Sequence, residues 1–256
     1  MIKNQINKIQ NDFLKYGYCV FNINNIQSLL KIKKKIKKLS KINNLDLFHK
    51  KISSKEVNNI RMKIYKSINK DKKFRNEYIK IFKNYLDEII GNEIGMQNKI
   101  NLNIQMPNDE NSLIEMHADS YSGESNFEVI TWLPLVNVSK SKSLYVFPLK
   151  KTREIEKKFN DFNFKGTDAI FKKYKNYSRF LNIKFGQGLI FSSNILHGNK
   201  KNLEKETRWS LNCRFKSIFA PQNPNLTNKT NLNFFENISL KPASVLGLNY
   251  KEPKIK

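Results

Sequence analysis

Residues 208–215 read Arg-Trp-Ser-Leu-Asn-Cys-Arg-Phe, with polar and apolar side chains in strict alternation. Because successive side chains of a β-strand point to opposite faces, this pattern predicts a half-buried strand. The apolar face is expected to pack into a core, while the polar face is free to border a binding site. The polar side chains are those of Arg208, Ser210, Asn212 and Arg214.

Short strands of this kind begin near Lys99 and are separated by turn residues such as those at 107–109 and 122–123. This spacing is typical of an antiparallel barrel or jelly roll. We therefore predict a mainly β fold with flanking α-helices: a double-stranded β-helix of the jelly-roll or cupin-like type, buttressed by N-terminal helices. We expect one domain over residues 1–256, made of a mostly helical support in 1–96, the β-core in 97–220 and a loosely structured C-terminal extension in 221–256.

The N-terminal part shows a different period. After one early strand near residues 12–21, apolar residues recur at helical spacing over 26–42, with lysines on the other face. A second helical region covers 54–90, and Gly91 and Gly95 are its expected stops. The lysine-rich face is predicted to be solvated, with a membrane-surface or polyanion site as the alternative.

Two of the three histidines of the chain lie in a pattern that suggests a metal site: His117-Ala118-Asp119, followed far downstream by His197. Residues two apart in a strand share a face, so His117 and Asp119 can reach one ion while His197 arrives from a neighbouring strand. Two histidines and one carboxylate form the facial triad that holds non-haem Fe(II) and leaves three coordination positions open. A lone His-x-Asp is a weak signal, and a surface strand or a helix cap is the alternative.

Arg208 is the eleventh residue after His197 and opens the alternating strand. A guanidinium group can hold a carboxylate with two hydrogen bonds, and the hydroxyl of Ser210 on the same face adds a third. This pair suits a dicarboxylate, and 2-oxoglutarate is the obvious one.

The order His-x-Asp, distal His, Arg-x-Ser resembles the Fe(II)- and 2-oxoglutarate-dependent dioxygenases, and the His197–Arg208 interval is most similar to their phytanoyl-CoA dioxygenase branch. A closer resemblance is to the sporadic carbohydrate cluster 2OG-Fe(II) oxygenases. It covers most of the chain and is strongest over 96–221. The stretches that carry it include Met96-Gln97, Gln105-Met106-Pro107, Trp132-Leu133-Pro134-Leu135-Val136 and Thr207-Arg208-Trp209-Ser210.

The resemblance implies an Fe(II)- and 2-oxoglutarate-dependent dioxygenase that uses O2 to hydroxylate or oxidise a sugar or sugar nucleotide in surface carbohydrate biosynthesis. Residues 138–148 lack the Asn-Gly turn and the Pro-Gly-Ser-His stretch usual in the phytanoyl-CoA dioxygenase branch, so a CoA thioester is not assumed. The alternatives are the same chemistry on a small amino-acid-derived or acyl metabolite, a cupin-like enzyme without 2-oxoglutarate, and a non-catalytic β-helix that binds carbohydrate or nucleic acid.

Further site candidates follow from their positions near these motifs. Three are assigned to the co-substrate pocket, against the alternatives of an outer strand face or core packing: Gln105, Thr131 and Trp132. Four are tentative substrate contacts, against solvent exposure or buried ion pairing: Tyr121, Glu124, Asn212 and Arg214.

The composition of the chain limits the classes of partner that we expect. The net charge is +25, but only six of the 47 basic residues are Arg, and the wealth of Lys, Asn and Ile reflects A/T-rich codons. We therefore expect no nucleic-acid partner, and assign the charge to attraction of an anionic small-molecule substrate. The two cysteines, Cys19 and Cys213, imply no disulfide framework. With no signal-like segment and no apolar run that could span a bilayer, a cytoplasmic location is expected.

Overall fold

The structure is a computed structural model, and it describes residues 2–162, 166–221 and 234–252. Along the chain, the helices and strands within these ranges are α1 Ile2–Tyr16, β1 Tyr18–Asn22, α2 Ile26–Ser40, α3 Ser54–Lys70, α4 Lys72–Ile90, β2 Ile94–Gln97, β3 Asn101–Gln105, β4 Val129–Pro134, β5 Tyr145–Val146, α5 Leu149–Glu156, α6 Gly166–Tyr174, β6 Arg179–Phe180, β7 Gln187–Ser192, β8 His197–Gly198, β9 Arg208–Ser217, β10 Phe235–Ser239 and α7 Pro242–Asn249.

Two antiparallel sheets form the β-core. Within the described residues the larger sheet has the strand order β1-β7-β4-β9-β2-β10, and β3 also pairs with β9. The smaller sheet has the order β6-β5-β8, and His117 pairs with His197 of β8 as an isolated bridge. This arrangement is the predicted jelly roll, in which a site lies between a large and a small sheet.

Strand β9 lies inside the larger sheet. Its side chains alternate between the two faces of the sheet, as its sequence predicts. It pairs with β4 along one edge and with β3 and then β2 along the other. On its apolar face, Trp209, Leu211, Cys213 and Phe215 are fully buried in the main core. The opposite face pairs Arg208 with Gln105 of β3, so the polar row of β9 lies beside a polar row of β3.

Helices cover the outer face of the larger sheet, as the N-terminal pattern predicts. The hydroxyl of Tyr78 in α4 lies 2.9 Å from Oγ1 of Thr131 in β4, and Tyr85 of α4 donates to the carbonyl of Asn22 at 2.7 Å. Helix α4 begins where the Asp71 side chain accepts from the backbone N–H groups of Lys73 and Phe74, which satisfies otherwise free donors of the first turn. This cap divides the predicted helical region into α3 and α4.

Three boundaries differ from the sequence-based expectations. Gly91 follows α4 with φ 92, as expected of a stop, but Gly95 lies in β2, where it pairs with Lys216 of β9. A helix, α1, precedes the early strand. The C-terminal stretch is not loosely structured where it is described, because β10 adds to the edge of the larger sheet beside β2 and α7 follows it.

Across the described ranges, no helix has both the length and the apolar character needed to cross a membrane.

Candidate metal and co-substrate site

His117 and His197 form a hydrogen-bonded antiparallel pair. The N–H of His117 donates to the carbonyl of His197 at 3.0 Å, and the N–H of His197 donates back at 2.8 Å. The two imidazole rings lie on the same side, with their centroids 4.3 Å apart. Asp119 differs from the prediction, because it does not continue a strand but begins a short 3-10 helix, Asp119–Ser122. Ala118 between them is extended, with φ −112° and ψ 138°, so the side chains of His117 and Asp119 still share one side, and the turn begins only after Ala118.

The three side chains can hold one metal ion. Nε2 of His117 lies 3.7 Å from Oδ1 of Asp119, and Nε2 of His197 lies 4.0 Å from Oδ2. One donor atom from each residue falls within 4.8 Å of the others. Donor atoms bound to a common ion at about 2 Å lie no more than about 4 Å apart, so modest side-chain adjustment completes the group.

The backbone fixes which imidazole nitrogen is available to a metal. Nδ1 of His117 lies 2.8 Å from the carbonyl oxygen of Glu115, and Nδ1 of His197 lies 2.9 Å from that of Ile195. A carbonyl oxygen only accepts, so each Nδ1 carries the proton and donates. In the neutral ring this leaves the lone pair on Nε2, which is the atom that faces Asp119.

In two of the three residues, the pKa shift favours the protonation state that can bind a metal ion. Burial lowers the pKa of His197 to about 4, so its ring is neutral at pH 7. Burial alone would raise the pKa of Asp119, but the close contact with His117 and the charges of His197 and Arg214 hold that pKa well below its ordinary value. For His117, burial lowers the pKa, but the nearby carboxylate of Asp119 outweighs it and the pKa is raised.

Arg214 is bound to the metal-ligand carboxylate. Its Nη2 donates to Oδ1 of Asp119 at 2.7 Å and lies 3.7 Å from Oε1 of Glu124. Glu124 is buried, which differs from the solvent exposure that is the simplest sequence-based expectation. These contacts make Arg214 a positioning residue for Asp119, with Glu124 behind it.

Arg208 is buried with much of its hydrogen-bonding capacity unused. Nη2 donates to Oδ1 of Asn103 at 2.8 Å, whereas Nε and Nη1 have no partner within the described part of the chain. The same is true of Oγ of Ser210 and of Oε1 of Gln105, whose Nε2 donates to the carbonyl of Lys200 at 2.9 Å. Burial lowers the pKa of Arg208 to about 10, so the guanidinium is still cationic at pH 7. Unpaired buried polar atoms are costly, and their clustering indicates a missing polar ligand.

A cavity of about 140 Å³ connects the metal-ligand group with Arg208. Trp132 and Asn212 face each other across β4 and β9 and both line this cavity. Thr131 does not line the cavity, which corrects its assignment to the co-substrate pocket. Its hydroxyl forms hydrogen bonds with Tyr78 and with the carbonyl of Cys213 on the outer face of the sheet. Tyr121 is half-exposed and donates to Glu156 at 2.7 Å, outside the cavity lining.

Several residues that line the cavity are not among the predicted site residues, although strand alternation could have indicated some of them. Asn101 and Asn103 share a face of β3 with Gln105, and Asn199 stands two residues after His197. Ile114 and Leu144 complete an apolar wall, but they lie outside regular strands and no local pattern points to them.

A larger cleft of about 770 Å³ lies between the start of α4 and strands β2 and β10. None of the three metal-ligand residues lines it. The chemistry of the side chains therefore assigns the site to the smaller cavity.

In comparisons by sequence, no family model and no curated protein matches the chain. Solved structures match by fold. The non-haem monooxygenase ThoJ gives a TM-score of 0.59 at 9% identity, over 91% of this chain and 84% of that one. EctD from S. alaskensis, solved with 2-oxoglutarate and 5-hydroxyectoine, gives 0.58 at 11% identity, over 93% and 85%. The non-haem alpha-ketoglutarate-dependent carbocyclase SnoK from nogalamycin biosynthesis gives 0.55 at 9% identity, over 87% and 88%. At these identities the likeness establishes a shared fold.

Proposed function

We propose that the protein is an Fe(II)- and 2-oxoglutarate-dependent oxygenase. One observation carries the proposal: a group of two histidines and one carboxylate shares a cavity with a buried arginine, two of whose donors have no partner among the described residues. A metal-binding protein without 2-oxoglutarate has no use for that arginine, because burying an unpaired guanidinium is costly.

The donor set fits Fe(II). His117, Asp119 and His197 would hold the metal through two imidazole nitrogens and one carboxylate oxygen, the combination found in non-haem iron oxygenases. Three protein ligands leave positions for a co-substrate and O2. Arg214 would keep Asp119 oriented by binding Oδ1.

The unpartnered polar atoms fit a dicarboxylate. Nε and Nη1 of Arg208 and Oγ of Ser210 are buried hydrogen-bonding groups with no partner in the part of the chain that the structure describes. These residues would hold the distal carboxylate of 2-oxoglutarate by charge-assisted hydrogen bonds. Gln105, which is paired with Arg208 across β3 and β9, and Trp132 would complete that pocket. EctD, which has the same fold, was solved with 2-oxoglutarate, and this supports the proposal by analogy.

Bound together, Fe(II) and 2-oxoglutarate would activate O2, the oxidant: one oxygen atom would end in succinate as CO2 leaves, and the other would oxidise a substrate C–H bond. The residues of the chain would bind and orient these groups and shield the reacting centre from water. Trp132, Ile130 and Phe191 line the cavity with apolar surface and limit the access of water to the reacting centre.

We further propose a sugar or sugar nucleotide as the substrate. The cavity lining includes four asparagines, Asn101, Asn103, Asn199 and Asn212. Asn199 binds the backbone of Ile114 and Ser112, and Oδ1 of Asn103 accepts from Arg208. Asn101 and Asn212 would therefore supply the amides that donate to and accept from ligand hydroxyls. The positive charge of the chain favours an anionic substrate. An amino-acid-derived or acyl metabolite is the other candidate, and Ile114 and Leu144 supply the apolar wall that an acyl group would need.

Anaerobic titration with Fe(II) and then 2-oxoglutarate tests the cofactor assignment. The expected result is a visible charge-transfer band of the iron–2-oxoglutarate chelate in the wild type. His117→Ala should lose the band, and Arg208→Ala should need far more 2-oxoglutarate to produce it. Iron binding without a band at any 2-oxoglutarate concentration would refute the proposal and favour a metal-binding or isomerase role.

A further inference from the structure

A second cleft opens beside the metal cavity. It has a volume of about 510 Å³ and is walled by α3 on one side and by the loop that follows β3 on the other. Asn103 and Ile114 line both this cleft and the metal cavity, so the two spaces adjoin at these residues. The metal cavity, at about 140 Å³, is smaller than the several hundred Å³ typical of ligand sites. The neighbouring cleft therefore offers space for the part of a substrate that the metal cavity does not hold.

The loop wall of this cleft is fixed to the metal-ligand strand. The backbone N–H of Ile114 donates to Oδ1 of Asn199 at 2.5 Å, and Nδ2 of Asn199 donates to the carbonyl of Ser112 at 2.9 Å. Asn199 follows His197 by two residues. A ligand held against this loop is therefore held in a defined position relative to the metal-ligand group.

The lining of the cleft combines one arginine and one aspartate with neutral polar groups. Arg61 in α3 donates from Nε and Nη2 to Oδ1 of Asn58, at 3.3 and 2.7 Å, which sets the plane of the guanidinium and leaves Nη1 outside these contacts. Oγ of Ser112 is buried and has no hydrogen-bond partner among the described residues. Ser54, Asn111 and Asp109 add donors and acceptors. Asp109 is partly committed, because its Oδ1 accepts from the backbone of Asn111 at 2.8 Å.

We infer that this cleft binds the non-reacting part of the substrate, and that this part is rich in hydroxyl groups and carries an oxyanion held by Arg61. The inference rests on the proposed function and specifies its substrate. Amide and hydroxyl side chains match ligand hydroxyls, while an oriented guanidinium matches a phosphate or a carboxylate. The oxyanion can be a sugar phosphate or the carboxylate of a uronic acid.

Binding of three probes to the anaerobic protein loaded with Fe(II) and 2-oxoglutarate tests the inference. The probes are glucose 1-phosphate, glucuronate and neutral glucose, measured by isothermal titration at constant ionic strength. Whichever charged probe binds better identifies the oxyanion. Arg61→Gln should weaken binding of that probe roughly tenfold to a hundredfold, the usual loss of a charged hydrogen bond. The affinity of Arg61→Lys should fall between those of the wild type and Arg61→Gln, because lysine keeps the charge without the planar fork.

Lys63→Gln is the matched control. Lys63 lies on the same helix and is exposed, so this change removes the same unit charge outside the cleft lining. It should change the dissociation constant by no more than about twofold, because exposed charges are screened. Equal effects of Arg61→Gln and Lys63→Gln would overturn the inference, and so would a wild type that binds neither charged probe at millimolar concentration.

The charge-transfer band separates this inference from the proposed function. Arg61 is not a ligand of the metal or of 2-oxoglutarate in the proposal, so the band should be the same in the wild type and in all Arg61 variants. A normal band with probe binding that does not depend on Arg61 refutes the cleft alone. Probe binding that depends on Arg61 without any band supports the cleft and refutes the oxygenase.

Discussion

His117 and His197 hold each other in place through two backbone hydrogen bonds, of 3.0 and 2.8 Å. A reciprocal pair of this kind fixes the relative position of two strand residues regardless of their side chains. The separation of the two imidazoles therefore depends on main-chain pairing between β8 and the residues around His117. Any change that disturbs this pairing is expected to reach the metal site.

Gly198 is the position where that pairing is most sensitive. A Cβ atom there would lie 2.6 Å from the hydroxyl of Tyr145 and 2.8 Å from the carbonyl oxygen of Ile114, closer than real Cβ contacts. Gly198→Ala should therefore displace His197, cost about 1–3 kcal/mol of stability, as overpacking does, and weaken Fe(II) binding. Thermal unfolding and Fe(II) titration measure the two effects.

Gly95→Ala provides the control, because an added Cβ there meets nothing closer than 3.7 Å. It should leave Fe(II) affinity unchanged. If both alanine variants bound Fe(II) as the wild type does, the main-chain pairing would not control the metal site.

Arg208 should contribute to co-substrate binding and not to folding. Because Nε and Nη1 find no partner in the described structure, Arg208→Met removes a buried charge and breaks only the hydrogen bond from Nη2 to Asn103. Without 2-oxoglutarate, the melting temperature should be unchanged or higher, as when buried charges are replaced by apolar groups. The affinity for 2-oxoglutarate should fall roughly a hundredfold. Thermal unfolding with and without 2-oxoglutarate distinguishes this from a structural role, in which stability would fall in both conditions.

Lys142 should stabilise the chain that leads into β9. Its buried ammonium group lies 2.8 Å from Oδ1 of Asp46 and 2.7 Å from Oε2 of Glu206, two residues before Arg208. Lys142→Met keeps the apolar stem and removes the ion pairs, so we expect a loss of roughly 1–2 kcal/mol in the free energy of unfolding. The matched variant is Lys140→Met, at an exposed position. Urea unfolding should place the second variant within about 0.5 kcal/mol of the wild type.

Glu128 should make stability depend on pH. Burial raises the pKa of its carboxyl from 4.5 to about 6 in the folded protein. The folded state thus binds this proton more tightly, and the associated stability, about 2 kcal/mol, is present below pH 4.5 and lost as the pH rises through 6.

In the metal-free Glu128→Gln variant this titration is absent. The stability of the wild type relative to the variant should therefore decline between pH 4 and pH 7, as measured by urea unfolding at each pH. Other carboxylates cancel in this difference, because they are common to both proteins. A difference that is flat with pH would contradict the assignment to Glu128.

The sequence predicts the parts of the site that follow from local periodicity. The face of Arg208 and Ser210 is set by alternation along β9, and β9 has that alternation in the structure. Asp119 begins a 3-10 turn that the sequence-based prediction does not include. Ala118 is still extended, so the alternation that relates His117 to Asp119 holds over these three residues.

The assignments that fail depend on which sheet face is inward, and this is a tertiary property. Thr131 and Trp132 are neighbours on β4, and only the packing of α4 against the sheet makes Thr131 the outward one. Glu124 lies outside regular secondary structure, and its burial depends on Arg214, which is distant in sequence. Arg61 lies on a helix outside the β-core, and no local pattern connects it with the metal ligands.

The acceptors that orient the two histidine rings belong to the main chain, at Glu115 and Ile195. Any amino acid at those two positions provides the same carbonyl oxygen, so the metal-binding tautomer does not depend on the identity of a supporting side chain. Mutational drift at 115 and 195 can therefore proceed without loss of the nitrogen lone pairs that face Asp119. A site built in this way tolerates extensive divergence around it, provided that the two local backbone turns persist.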